Sequence, residues 1–254
     1  QGTVTGTLDA TASAGGITDS SNLSASGDVT LNDVATAGIT LGTLEADANV
    51  IITAAGNTAI TNDAALALQG TVTGTLDATA TTGDITDSDA LAVSGASVFT
   101  LGADGSNITL DSAANAFSGA VTLKAGSSGS QTFGNITFVD SGAIDFAGSA
   151  SSDGDLLLDG GTDNTVGGTL AVTATTGGIT DSATIAVTGD LTLNDVATAG
   201  ITLGTLEADA NVIITAAGNT AITNDAALAL QGTVTGTLNA TASAGGITDS
   251  SNLS

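Results

Sequence analysis

The sequence predicts an all-β chain wound as a parallel β-helix, a β-solenoid of about eleven coils of ~22 residues. Three observations carry that expectation: repetition at two scales, short alternating strands in step with the finer repeat, and a strand-and-turn composition without proline.

The coarse repeat is plain. Thr30 to Leu76 recurs without change as Thr192 to Leu238, a shift of 162 residues. Gln1 to Ser24 recurs at Gln231 to Ser254 with one substitution, Asp9 becoming Asn239, and a diverged copy starts at Gln69. The chain therefore divides into blocks 1–68, 69–162, 163–230 and 231–254, within one continuous solenoid. Opening and closing on the same phrase, it reads as a window cut from a longer repetitive chain, with any export signal outside it.

The fine repeat is an Ile-Thr pair: Ile17-Thr18, Ile39-Thr40, Ile60-Thr61, Ile85-Thr86, Ile108-Thr109 and Ile136-Thr137, then Ile179-Thr180, Ile201-Thr202, Ile222-Thr223 and Ile247-Thr248. Leu157-Leu158 is expected to fill the missing rung between Ile136 and Ile179. Each interval holds short alternating stretches such as TVTGTL and NVIITAAGN, bounded by Gly, Asn, Asp or Ser. Strands that short close no core alone; stacked coils do, Ile over Ile inside and Thr over Thr outside. Proline would delete a ladder hydrogen bond in every central coil, and there is none.

One Lys (Lys124) against 26 acidic residues gives a net charge of −25, and His, Cys, Met, Trp and Tyr are missing. The commonest general base and the thiol nucleophile are thereby excluded, and no enzymatic activity is expected. A polyanion offers no basic patch to nucleic acid or to an anionic membrane, and no apolar run is long enough for insertion.

The phrases at 83–123 and 168–194, with their motifs GxITDS, ALxVxG and NITLDxAAN, resemble the repeats of filamentous-haemagglutinin-like exoproteins, the bacterial surface adhesins of the two-partner secretion class. The resemblance implies a right-handed shaft, export across an outer membrane and an extracellular or cell-surface location. The implied role is a structural or adhesive fibre shaft that projects, spaces or bundles. Its partners would be itself or neighbouring repeats, end to end and laterally, with receptors engaged through other regions. The family's Asn-Pro secretion motifs have no counterpart in this proline-free sequence.

Candidate sites are few. Asp19, Asp87, Asp181 and Asp249 follow the Ile-Thr pair, and Asp33/Asp195, Asp47/Asp209 and Asp63/Asp225 recur at other turns. Such carboxylates are candidate calcium ligands between coils, the one cofactor the sequence raises. Capping of their own turn backbone is the expected role. Gly160 to Thr165 only partly matches a calcium-binding β-roll nonapeptide. The Thr ladder (Thr18, Thr40, Thr61, Thr86, Thr109) is read as β-propensity rather than an ice-binding face. Phe99, Phe117, Phe133, Phe138 and Phe146 are expected to fill a wider core instead of forming a sticky patch. Glutamine is too sparse for an amyloid-like matrix with a Gln ladder at every rung.

Overall fold

A computed structural model of the chain describes residues 2–126, 132–159 and 164–254. Among them every strand pairing is parallel, and no helix occurs. The chain is a parallel β-solenoid of about 12 turns, as the repeats predict. Among the described residues the strands form a 16-stranded and a 13-stranded sheet. At ~4.8 Å per rung the rod runs about 53 Å along the 13-stranded sheet.

Alternation builds each rung. In Val29–Asp33 and Leu191–Asp195, Val29, Leu31, Leu191 and Leu193 point inward while Thr30, Asn32, Thr192 and Asn194 face out. Aliphatic side chains from successive coils meet inside as one continuous core. Leu8, Val29 and Val50 stack directly, as do Ile85, Ile108 and Ile136.

The alternation breaks where the chain turns a corner. Ile39–Ala46 carries two consecutive outward residues, Gly42 and Thr43, so the strand bends while both flanking halves stay in the sheet. Ile85–Val93 bends in the same way between Asp87 and Leu91.

The Ile-Thr phase is not kept along the rod. Ile17 lies over Ile39, but Ile39 lies over Thr58, and Ile60 is placed against Leu41 and Ala78. The cause is coil length. Equivalent corners are 21 residues apart between Asp28 and Asn49, 18 between Asn57 and Thr75, 28 between Asn107 and Asn135, and 34 between Asn135 and Thr169. Coils of 18 omit the bend, with Leu41 and Leu44 facing Ile60 and Asn62, so the phase slips at each change of coil length. Isoleucines 17 and 39 consequently belong to one sheet, and isoleucines 85, 108 and 136 to the other.

Nor does Leu157-Leu158 fill a rung between Ile136 and Ile179. Ile136 stacks straight onto Leu170, and Ile144 onto Ile179. Asp155–Asp159 lies in the other sheet from Ile136, wedged between Val121–Ala125 and Ile144–Phe146. The chain thus steps ahead at Ile144–Phe146 and drops back one rung at Asp155–Asp159. This irregular stretch needs bulk, and the phenylalanines supply it. All five are buried, with Phe117 set edge-on to Phe99 at 5.9 Å and stacked on Phe138 at 5.4 Å. They form no surface patch.

Candidate functional site

The corners carry the polar chemistry. Where Gly42 and Thr43 both turn outward, their amides leave the ladder and need another acceptor. Asp19, one coil earlier, takes both. Its Oδ1 accepts from Gly42 N at 2.9 Å, and its Oδ2 accepts from Thr43 N at 2.8 Å and Thr43 Oγ1 at 3.0 Å. Asp181 repeats the clamp on Gly204 (2.8 Å) and Thr205 (2.7 and 2.9 Å). Asp87 accepts from the amides of Asp111 at 3.0 Å and Ser112 at 2.9 Å, and from Asn115 Nδ2 at 2.6 Å. Asp249, in the last coil, accepts from Leu253 N at 3.3 Å.

Asp33 and Asp195 cap their own turns, accepting from Gly38 N at 2.8 Å and Gly200 N at 2.7 Å, as does Asp249, whereas Asp19, Asp87 and Asp181 cap the backbone of the following coil. The expectation that each caps its own turn is corrected for Asp19, Asp87 and Asp181. Ladder hydrogen bonds leave a bend's amides unpaired, and only the neighbouring rung comes within reach. The four candidate calcium positions are not brought together; they sit on separate rungs, and no three acidic side chains converge among the described residues. Residues 160–163 of the β-roll-like phrase lie outside the described residues.

Burial is the largest single influence on Asp19 and pushes its carboxyl up. The amides of Gly42 and Thr43 and the Thr43 hydroxyl outweigh it, so the group titrates below the ordinary carboxylate value. Asp140 is the opposite case. Burial dominates there and raises its pKa, Asp153 adding repulsion, although Oδ1 accepts from Phe117 N at 2.9 Å.

The forward direction recurs at several other outer corners. Asp84 accepts from Asn107 N, Asn107 from Asn135 N, and Asn135 from Thr169 N, a relay through four successive coils. Asn57 and Asn219 do the same for Thr75 and Thr237. Inside the rod the direction reverses. Asn62 is fully buried, accepts from Ala46 N at 2.8 Å and donates to the Ala46 and Ala65 carbonyls at 3.1 and 2.7 Å. Asn224 repeats it. The sequence reading missed these asparagines, although alternation through Ile60-Thr61-Asn62 already points Asn62 inward.

Two shallow grooves recur where an 18-residue coil follows a bent one. The first, of 210 Å³, is lined by Asn22, Thr43, Glu45, Thr61, Asp63 and Thr81. The second, of 250 Å³, has Thr184, Thr205, Glu207, Thr223, Asp225 and Ser243. The overhang of Gly42-Thr43 above the single Thr61 explains the ledge. Hydroxyls, carboxylates and a leucine (Leu44 or Leu206) line these grooves without an aromatic ring or a cationic group. Lys124 pairs with Asp159 at 3.5 Å on the surface.

A family profile described as "Repeats of unknown function (DUF5649)" matches residues 1–54, 55–124 and 217–254. No curated protein and no solved structure matches the chain.

Proposed function

The chain belongs to the DUF5649 family of repeats, matched over more than half its length, and from its solenoid fold and repeat sequence we propose that it is a shaft segment of an extracellular bacterial surface fibre, whose work is mechanical. It projects and spaces whatever recognises a target, and its windings transmit load between the two ends.

The observation that supports this reading most is the coupling between coils. Backbone ladders run in both sheets, and the outer corners add side-chain bonds aimed at the next coil, as in the Asp84–Asn107–Asn135–Thr169 relay. Pulling the ends apart must break a whole rung, clamps included. Charged clamps add more than neutral ones, each about 1.5–3 kcal/mol for a hydrogen bond to an ionised group before solvent screening. The resemblance of residues 83–123 and 168–194 to surface-exoprotein repeats supports the location.

Immunogold labelling of intact producing cells tests the role. Label on filaments outside the cell is expected; label confined to the cell interior overturns it. Small-angle scattering on the purified chain is expected to return a rod about 53 Å long at ~4.8 Å per coil. A compact particle would remove the shaft.

A further inference from the structure

Buried side-chain polar atoms in a folded chain normally have a hydrogen-bond partner, and each exception needs a reason. Among the described residues five such atoms have none, and four of them form two matched pairs: Asp33 Oδ1 with Thr58 Oγ1, and Asp195 Oδ1 with Thr220 Oγ1. These four residues are at most 2% exposed. Each pair sits where corners of unequal length lie on adjacent coils. Five residues, 34–38, join Asp33 to Ile39, whereas three, 55–57, join Ala54 to Thr58. Residues 196–200 and 217–219 repeat the mismatch. Asp33 reaches across its longer corner, its Oδ2 accepting from Gly38 N at 2.8 Å, and has only Ala12 and Ala54 on the rungs either side. Asp195 does the same with Gly200 at 2.7 Å, between Ala174 and Ala216. Thr58 enters from the next coil, facing inward opposite Ile39, the residue after Gly38. The Asn57 carbonyl meets the same corner, accepting from Ile39 N at 2.8 Å.

We propose that each pair is an internal binding site for a hard monovalent cation of sodium's size, held by the aspartate carboxylate, the threonine hydroxyl and the carbonyl of Asn57 or Asn219. Charge selects the ligand. A carboxylate buried with one neutral amide as its donor is an uncompensated charge, and buried charges are paired or coordinate a metal ion. A water molecule would complete the hydrogen bonds and leave the charge. The chain has a single basic side chain, Lys124, which pairs with Asp159, so the compensating charge comes from solution. A net charge of −25 raises the concentration of cations around the rod. Oxygen donors alone select a hard ion, and one carboxylate balances one positive charge. Calcium takes about six to eight oxygens, commonly from several carboxylates, and no three acidic side chains converge among the described residues. Asp33 and Thr58 come from adjacent coils ~4.8 Å apart, a span bridged by an ion the size of sodium or calcium with oxygens at about 2.3–2.6 Å.

Such sites tie the rod's stability to the ions around it, whatever its role. Thermal melts of the purified chain in sodium chloride and in tetramethylammonium chloride, matched at about 0.02, 0.1 and 0.5 M, separate binding from screening. Both salts screen alike, but the bulky organic ion does not fit a buried corner. The melting temperature is expected to be about 2–4 °C higher in sodium at the top concentration, and to rise with the logarithm of sodium concentration. Asp33→Asn with Asp195→Asn keeps an oxygen for the Gly38 and Gly200 amides, removes the charge and should abolish the difference. Thr58→Val with Thr220→Val should shrink it. Asp77→Asn, at an outward carboxylate on another strand, should leave it intact. Sodium NMR relaxation reads binding without reference to stability: the line broadening of the parent should fall in Asp33→Asn with Asp195→Asn and persist in Asp77→Asn. Equal melts in the two salts, or a sodium effect that survives Asp33→Asn with Asp195→Asn, overturns the proposal. Saturable calcium binding that sodium does not displace also overturns it. None of these outcomes alters the measured length of the rod, so the shaft reading and the cation sites fail separately.

Discussion

Residues 2–24 and 232–254 have the same sequence except at Asp9/Asn239, yet they lie on opposite sheets. In the first copy, Leu8–Ala12 belongs to the 13-stranded sheet and Ile17–Thr18 to the 16-stranded one. In the last copy, Leu238–Ala242 belongs to the 16-stranded sheet and Ile247–Leu253 to the 13-stranded one. The copy beginning at Gln69 follows the last, with Leu76–Ala80 and Ile85–Val93 placed likewise. The phrase specifies strands and corners but not a face. Both sheets ask for the same alternation, so the coil underneath decides where the phrase lands.

The comparison is tested most severely at a glycine. Gly70 and Gly232 adopt φ of +118° and +114°, and a Cβ there would lie 2.0 and 1.9 Å from the carbonyl oxygens of Ile52 and Ile214. Gly2, the same position of the first copy, has nothing within 4 Å. Gly70→Ala and Gly232→Ala should each cost roughly 3 kcal/mol or more, because strained φ and a backbone clash add, whereas Gly2→Ala should stay within about 0.5 kcal/mol. Denaturant titration of the three variants gives the answer. A Gly2→Ala loss as large as that of Gly70→Ala would mean the phrase, not its support, sets the conformation.

Leu76 and Leu238 end the two copies of an identical 47-residue stretch, and they differ in cover. Leu76 is 1% exposed between Thr58 and Ser97, while Leu238 is 36% exposed with Thr220 on one side. Leu76→Ala should cost about 2–5 kcal/mol and Leu238→Ala about 1 kcal/mol or less. Thermal melts separate these readily.

Acid sharpens a contrast between corners. Asp19 titrates below its ordinary value when folded, so its contribution is complete above the unfolded carboxylate value near pH 4 and disappears as pH falls through the folded one. Asp140 is raised, so the folded chain gains from it as pH falls through its folded value. Asp19→Asn should lower stability at neutral pH and flatten the loss below pH ~4, by about 1 kcal/mol for a partly exposed cap. Asp140→Asn should raise stability at neutral pH. Melting temperatures followed from pH 7 to pH 3 distinguish the two signs. The smallest effect belongs to Lys124→Ala, within about 0.5 kcal/mol, because its pair with Asp159 is solvent-exposed.

Much of this fold is legible in the residues. Inward aliphatics at Leu8, Val29 and Val50, and buried Phe99 and Phe138, follow from period and composition alone. What escapes is anything fixed by the difference between adjacent coils. Ile60 bears the same Ile-Thr signature as Ile39, but its column depends on Thr58–Asn62 lacking the bend that Gly42-Thr43 introduces. DLLLD has the pattern of an ordinary rung, and nothing local shows that it drops back beside Phe146. Asp19 is legible as a cap, whereas Gly42 and Thr43 as its partners are not, being 23 and 24 residues away.

The one-way reach of the outer aspartates and asparagines gives the rod an arrow. A fracture between the coils of Asp19 and Gly42 would leave two unlike surfaces: one fragment showing hydrated carboxylates, the other bare corner N–H groups. At these corners such surfaces match head to tail. Two broken ends of the same kind would set these corner groups acceptor to acceptor or donor to donor, so the clamps favour rejoining in the original direction.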